Sequence, residues 1–290
     1  MATAGRGKIS LALHGLDAVF SELSSTYPLK LLSPRIQRAG LGVAYIITYG
    51  GGLVSGDHVS LSVDVGSGAI LLLLSQGSTK IFKFRPGQHA ASTVPVQVTT
   101  QEMGFAVSPG GALFLLPDPV TCFRAASYNQ IQNFHLTQDA SLVMLDWVTS
   151  GRKSRGEDWA FSRYYSVNEV MVDGKRVARD AMLLENFPES TWLRTLANKL
   201  DPYSCYATVM LYGPQVQGVI SVLGEEYGRI SVFKTAEPAE LLWSMSAFGD
   251  GGVVLRIAGR ETETVRKWLG NALKGLEALA GIDVYRRAFA

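Results

Sequence analysis

The sequence has 290 residues, which is long enough to bury roughly three quarters of the surface that the unfolded chain would expose. Charged residues make up only 18% and the net charge is +2, so composition gives no electrostatic basis for nucleic-acid binding. No apolar run approaches the ~20 residues of a membrane span, and His14 and Asp17 interrupt the N-terminal apolar stretch that a signal peptide would need. Cys122 and Cys205 fit no paired-cysteine motif. We therefore expect a soluble, cytoplasmic protein.

Short apolar runs separated by glycine and proline, which together supply 41 residues (30 Gly and 11 Pro), predict a mainly β chain. Val59–Val65 alternates apolar with polar residues, which is typical of a half-buried strand. Ala69–Leu74 is continuously apolar and short, which predicts a strand buried on both faces. Because Gly66–Gly68 separates the two runs, we expect them to pair as a hairpin.

Polar residues surround these two strands in an unusual way. Gln76 and Lys80 follow the buried strand directly, and Asp57 precedes the alternating one. Polar groups near an interior need partners or water, so Asp57 is a candidate to pair with Lys80. The alternative is that Asp57 caps a turn and Lys80 points to solvent, as most lysines do.

Regular elements become helical toward the end of the chain. Asp173-Gly174 between two apolar runs predicts a hairpin with a type I′ turn. Helical periodicity then covers Ser190–Leu200, Val216–Leu223 with Gly224 at its C-terminal end, and Thr262–Leu276. We therefore predict one domain over residues 1–290, mainly β, as an extended multi-strand architecture of β-helical or layered sheets. Two or three helices lie toward its C-terminal part, mainly after residue 189.

Motifs that would identify an enzyme are missing or incomplete. The chain has no Gly-x-Ser-x-Gly elbow, phosphate-binding loop or His-Glu-x-x-His segment. Ser150–Lys153 matches Ser-x-x-Lys, but its companion motifs are missing, and we interpret it as a loop. The four histidines are scattered, so we expect no fixed metal site. His58 beside Asp57 is the candidate for a transient metal contact.

The segment of residues 146–159 is rich in charges and tryptophan and joins two predicted buried strands. It is either a solvated loop or an interface, and we favour an interface because Arg and Trp are typical anchors. Its candidate partner-binding residues are Trp147, Arg155 and Trp159. A hydrolase of β architecture would instead need Asp146 and Glu157 as its acid and base.

Several motifs, taken in order, resemble the UreD family of urease accessory proteins, called UreH in some bacteria. The resemblance covers the chain from about Lys8 to the final helix. The residues that carry it are Gly51-Gly52-Leu53-x-x-Gly56-Asp57, Gln76-x-x-x-Lys80-Ile81-Phe82, Pro117-x-Pro119 with Phe123 and Tyr128-x-Gln130, Ser150-Gly151-Arg152-x-x-Arg155-Gly156-Glu157, and Ala207-Thr208 through Gly213-Pro214. The chain departs from the family at Leu74-Ser75 and Phe82, where the family usually has Thr-Thr and Tyr.

The resemblance implies a mostly β maturation factor that is not an enzyme. Such proteins bind the accessory protein UreF, join the GTPase UreG and dock on apo-urease. They hold no cofactor tightly, and nickel is the transported ion, for which an internal water-filled passage is proposed in the family. We expect six residues to form or support such a polar interior: Asp57, Gln76, Lys80, Asp146, Arg152 and Glu157. A plain scaffold without a conduit is the alternative that the sequence leaves open.

Overall fold

The computed structural model describes residues 5–83, 98–186, 195–230 and 239–289. Strands dominate this part of the chain, and the α-helices lie after residue 195, so the prediction of a mainly β fold with C-terminal helices is confirmed. The strands are β1 (Gly5–His14), β2 (Asp17–Ser25), β3 (Leu29–Leu32), β4 (Leu41–Thr48), β5 (His58–Val65), β6 (Ile70–Ser75), β7 (Thr79–Ile81), β8 (Thr99–Val107), β9 (Ala112–Leu116), β10 (Val120–Cys122), β11 (Ser127–Leu136), β12 (Ser141–Thr149), β13 (Arg163–Val172), β14 (Lys175–Glu185), β15 (Cys205–Tyr212), β16 (Leu241–Phe248) and β17 (Gly252–Gly259). The helices are α1 (Leu196–Leu200), α2 (Gln217–Gly228), α3 (Thr262–Ala272), α4 (Glu277–Ala280) and α5 (Ile282–Arg286).

Two sheets contain these strands. The seven-stranded sheet has the order β14-β13-β11-β8-β5-β1-β2. The ten-stranded sheet has the order β16-β17-β15-β12-β9-β6-β4-β3, and the short strands β7 and β10 extend from β12. Parallel pairs connect β4, β6, β9 and β12 in one sheet and β5, β8, β11 and β13 in the other. The chain therefore passes repeatedly between two facing layers, as in a β-helical coil.

This coil shows that the predicted pairing of Val59–Val65 with Ala69–Leu74 is wrong. β5 pairs in parallel with β1 and β8, whereas β6 pairs with β4 and β9. The turn at Gly66–Gly68 carries the chain from one sheet to the other instead of closing a hairpin. A strand that is apolar on both faces needs cover on both, and only the ten-stranded sheet offers it.

Two hydrophobic cores cover the two faces of β6. Leu71 and Leu73 of β6 point into the core between the sheets, together with Phe105 and Phe134. Leu72 and Leu74 point the other way, into a second core that the C-terminal helices close. The ten-stranded sheet is therefore the middle layer of a three-layer arrangement. Its inner strands β9 and β12 are buried at every residue, and β6 is buried at all but its two end residues.

The predicted hairpin at Asp173-Gly174 is confirmed, since β13 and β14 pair antiparallel and both turn residues have positive φ. The described part of the first predicted helix is α1, which Thr195 caps. α2 continues through Gly224 to Gly228, so the prediction of a helix end at Gly224 was wrong. Apart from the backbone of the helix itself, no atom lies within 4 Å of a Cβ built at Gly224, so this position is open.

The first part of the helix predicted over Ser190–Leu200 lies outside the described residues. Among the residues that are described, no helix combines the length and the apolar character needed to cross a bilayer. The extent of the domain, residues 1–290, stays a prediction.

Candidate functional site

The most unusual feature of the interior is a carboxylate in the middle of β12. Even-numbered residues of this strand, Leu142, Met144 and Val148, face the core between the sheets. Asp146 has the same parity, so its side chain enters that core and is only 8% exposed. Strand periodicity alone directs it inward, and burial of a charge without partners would cost several kcal/mol.

Neutral donors from the opposite sheet satisfy this carboxylate. Gln130 Nε2 and Tyr164 Oη donate to Asp146 Oδ1 at 3.0 and 3.2 Å. Ser166 Oγ and Asn168 Nδ2 donate to Oδ2 at 2.6 and 2.8 Å. Four donors match the lone-pair capacity of an ionised carboxylate. No Lys, Arg or His among the described residues forms an ion pair with it, so in this part of the chain its hydrogen-bond partners are neutral side chains.

Two buried tyrosines extend this network. Tyr128 Oη donates to Gln101 Oε1 at 3.0 Å and lies 3.1 Å from Gln130 Oε1. Burial raises the pKa of both Tyr128 and Tyr164 well above the usual range. The second cause is Cys122 for Tyr128 and Asp146 for Tyr164. Both hydroxyl groups therefore remain protonated donors at physiological pH.

The same network leaves two acceptors without a partner. Gln132 Oε1 and Asn168 Oδ1 are buried, and neither makes a hydrogen bond to the described residues. Their side chains are adjacent because Gln132 of β11 pairs with Asn168 of β13. A buried amide oxygen without a donor is costly, so such a position is suited to water or a cation.

Three spaces that share lining residues lie between the surface and this network. An open groove of about 590 Å³ is lined by residues that include Pro34, Gln76 and Arg287. A smaller space of about 80 Å³ shares Gln76 with the groove and Gln101 with a third space, a cavity of about 30 Å³. Asp146, Gln130 and Gln132 line this innermost cavity. Ser75 borders all three spaces.

A second polar cluster lies in the loop after β12. The guanidinium of Arg152 contacts the Glu157 carboxylate through two nitrogens, at 2.8 and 2.5 Å, and stacks on the Phe123 ring with 3.7 Å to its centroid. The hydrogen bond from Arg152 lowers the pKa of Glu157 and overcomes the opposing effect of burial. Because Glu157 is fully paired here and Asp146 is paired elsewhere, the two carboxylates belong to separate networks.

The predicted polar interior is therefore only partly formed by the residues named for it. Asp146 and Glu157 are buried. Gln76 and Lys80 are exposed, so placing them in the interior was wrong, although Gln76 does line the route inward. Asp57 caps a turn, since its Oδ2 accepts from Val54 N at 2.8 Å, as the alternative interpretation had it.

The predicted transient metal contact at Asp57 and His58 has few neighbours that could assist. His58 Nε2 lies 3.6 Å from Glu102 Oε2, and both side chains are almost half exposed. Within the described ranges, no three His, Cys, Asp or Glu side chains are grouped as a metal site. A contact at this position stays a prediction.

The structure buries two of the three predicted partner-binding residues. Trp147 and Trp159 are each 2% exposed, and their indole nitrogens donate to backbone carbonyls of Pro117 and Tyr203. They pack the core because strand parity and the loop fold turn them inward, so naming them as surface anchors was wrong. Arg155 is exposed, and its role in partner binding stays a prediction.

Sequence reasoning missed most of the residues that surround Asp146. These are Gln101, Gln130, Gln132, Tyr164, Ser166 and Asn168, all contributed by the seven-stranded sheet. A signal was available in β11, where Gln130 and Gln132 have the parity of the buried residues Tyr128 and Phe134. Polar residues at the buried positions of a strand predict an interior network.

Comparison with known proteins finds relatives along nearly the whole chain. The family model described as UreD urease accessory protein matches residues 4–287. The chain is 39% identical to urease accessory protein 4 of Cryptococcus neoformans, over 98% of this chain and 94% of that protein. It is 36% identical to urease accessory protein UreD of an Anaeromyxobacter species (98% and 89%) and 33% identical to urease accessory protein D of indica rice (94% and 92%). The chain therefore belongs to the UreD family of urease accessory proteins.

Proposed function

We propose that this chain acts in urease maturation as an accessory protein that is not itself an enzyme. It binds homologues of UreF and of the GTPase UreG, docks on apo-urease and helps nickel to reach the urease active site. The names of its relatives support the link to urease, since they are urease accessory proteins from a fungus, a plant and a bacterium. The interior of the chain supports the step that involves the ion.

The observation that carries the proposal is the buried carboxyl group of Asp146, which has no ion-pair partner among the described residues and lines the innermost of the three spaces. In a partly desolvated interior, a carboxylate attracts a cation more strongly than it does in water. Because its four hydrogen bonds already occupy the carboxylate, Asp146 sets the potential of the cavity without binding an ion tightly. A conduit needs such weak attraction so that the ion can leave again.

The dimensions of the spaces also suit a hydrated ion. A cavity needs roughly 10–15 Å³ to hold one water molecule. The cavities of about 30 and 80 Å³ therefore have room for several waters, which can solvate an ion between protein contacts. Amide and hydroxyl oxygens along the walls, such as those of Gln101 and Ser75, supply further weak ligands.

The test is co-expression of urease and its accessory proteins with an Asp146→Asn chain. Asp180→Asn is the matched control, because Asp180 is also a mostly buried carboxylate, pairs with the exposed Arg256 and lines none of the three spaces. Pull-down first establishes that the complex assembles, and the nickel content of purified urease is then measured. We expect Asp146→Asn to lower the nickel content severalfold and Asp180→Asn to leave it unchanged. Normal nickel content with Asp146→Asn in an assembled complex would exclude the conduit.

Two alternatives give different results in the same experiment. A plain scaffold tolerates Asp146→Asn as long as the complex forms. A hydrolase would use Asp146 and Glu157 as acid and base, but the separate hydrogen-bond networks of these residues give that function no support. Only hydrolysis of a substrate by the purified chain would support the hydrolase function.

A further inference from the structure

Asp118 lies where the outer groove meets the innermost cavity, and it lines both. Ser75 does the same from the opposite side. Hydrogen bonds join the two sides: Asp118 N donates to Ser75 Oγ at 2.7 Å, and Gly77 N donates to Asp118 Oδ2 at 3.0 Å. These bonds hold the loop after β6 across the boundary between the groove and the cavity.

The other oxygen of Asp118 binds a cation from the helical layer. Arg266 of α3 places Nη1 at 3.0 Å from Asp118 Oδ1, and the two side chains are only 16% and 20% exposed. Arg266 also lies over the Trp147 ring, 5.2 Å from its centroid. A part-buried ion pair of this kind is stronger than a surface pair, and it occupies the face of the carboxylate that a metal ion would otherwise use.

Arg266 has a second carboxylate within reach. Glu263, one turn earlier in α3, places Oε2 at 3.8 Å from Arg266 Nε and is 62% exposed. Movement of the guanidinium toward Glu263 would release Asp118 while Arg266 keeps an ionic partner. In the structure Arg266 contacts both carboxylates at once, through Nη1 to Asp118 and through Nε to Glu263, so it keeps Glu263 as a partner if the contact to Asp118 breaks.

Behind Asp118, the innermost cavity contains an acceptor that no group of the described residues satisfies. Gln132 is 1% exposed, its Oε1 has no hydrogen-bond partner, and its side chain lines the cavity. Carboxylate and amide oxygens are ligands for a divalent cation that keeps part of its water shell. An ion that reaches Asp118 thus meets a second oxygen ligand on the inner side.

We propose that Asp118 is the entry ligand for a divalent cation and that Arg266 acts as its latch. The ion pair keeps the carboxylate occupied and the loop closed, and release of Arg266 opens the cavity and exposes the ligand. This inference rests on the proposed function, because it assigns the entry and its control to the same nickel route. It goes beyond the proposed function in one respect: the cavity of the resting chain is closed to the ion until Arg266 releases Asp118.

The test measures binding of Ni²⁺ alone to the purified full-length chain by equilibrium dialysis. Removing the positive charge of Arg266, which competes with the ion for Asp118, corresponds to a change of about tenfold in Ni²⁺ affinity. We therefore expect Arg266→Met to bind Ni²⁺ about tenfold more tightly than the wild type, and Asp118→Asn added to it to abolish the gain. Arg266→Lys keeps the charge and should bind like the wild type. Arg256→Met, which breaks a surface ion pair, is the control and should have no effect.

Unchanged affinity in Arg266→Met, or a gain that survives Asp118→Asn, would overturn the latch. If Arg266→Met does not fold, Glu263→Gln tests the same idea in the same dialysis, since loss of the second carboxylate should leave Arg266 on Asp118 and weaken Ni²⁺ binding relative to the wild type. Unchanged binding in Glu263→Gln would then overturn the latch. The result is separable from the nickel content of urease in Asp146→Asn complexes. A latch that operates while that content stays normal would refute the conduit through Asp146 and keep the entry site.

Discussion

Replacing Gly52 by alanine tests how the chain holds β7 against the loop before β5. A Cβ at this position would lie 2.4 Å from the carbonyl oxygen of Lys80 and 2.6 Å from the ring of Phe82. Ordinary contact begins at 3.4 Å, so the Lys80 backbone would have to retreat by about 1 Å. Leu53 N donates to that oxygen at 2.8 Å, and Phe82 N donates to Leu53 O at 2.8 Å.

A shift of about 1 Å would carry both bonds beyond hydrogen-bonding distance. Each contributes about 1 kcal/mol net, and Leu53, which is fully buried, would lose part of its packing. We therefore expect Gly52→Ala to lower the free energy of unfolding by about 2–4 kcal/mol. Because β7 borders the cavities, the nickel content of urease should fall as well.

Urea unfolding followed by tryptophan fluorescence measures this change, with Gly104→Ala as the control. Gly104 lies in β8, and a Cβ there would have no atom within 4 Å. Alanine should be neutral or slightly stabilising at that position, because glycine loses more backbone entropy on folding. If Gly52→Ala unfolds within about 0.5 kcal/mol of the wild type, the backbone contact does not explain the glycine.

Three further predictions follow from buried groups. Glu157→Gln should cost about 1–3 kcal/mol at neutral pH. Because its arginine partner lowers the pKa of Glu157, this difference should be complete above the ordinary pKa of 4.5 and disappear as the pH falls through the folded value, which paired urea titrations at pH 7 and pH 3 would show. Tyr164→Phe removes one donor to Asp146 and should cost about 1 kcal/mol in the same assay. Burial raises the pKa of the Cys122 thiol strongly and that of Cys205 to about 12, so neither should react with a maleimide at pH 7 until the chain unfolds, and fast labelling of the folded chain would contradict this.

Local patterns predicted the elements whose partners are close in sequence. Asp173-Gly174 allowed only a tight turn, and the strands on either side were long enough to pair, so the hairpin followed from the sequence. The same reasoning failed at Gly66–Gly68, because a glycine turn between two strands does not say whether they share a sheet. That choice was made by the parallel neighbours of β5 and β6, which come from other turns of the coil.

The residues of the candidate site were harder to predict, because they come from parts of the chain that are far apart in sequence. Asp146 was predicted to belong to a polar interior, but its donors lie 16–22 residues away in β11 and β13 of the facing sheet and were not predicted. Trp147, the next residue, looked like an interface anchor and proved to be core, since adjacent strand residues face opposite layers.

The sequence by itself determined the fold class, the main strands and the family, because these depend on local periodicity and on motifs that remain in order along the chain. Only the tertiary structure decided which polar residues meet. Stacking two sheets brings Asp146, Gln130 and Asn168 together, and covering the outer face with α3 adds Arg266 next to Asp118. Such contacts between layers depend on the register of strands that are far apart in sequence, and no local pattern specifies that register.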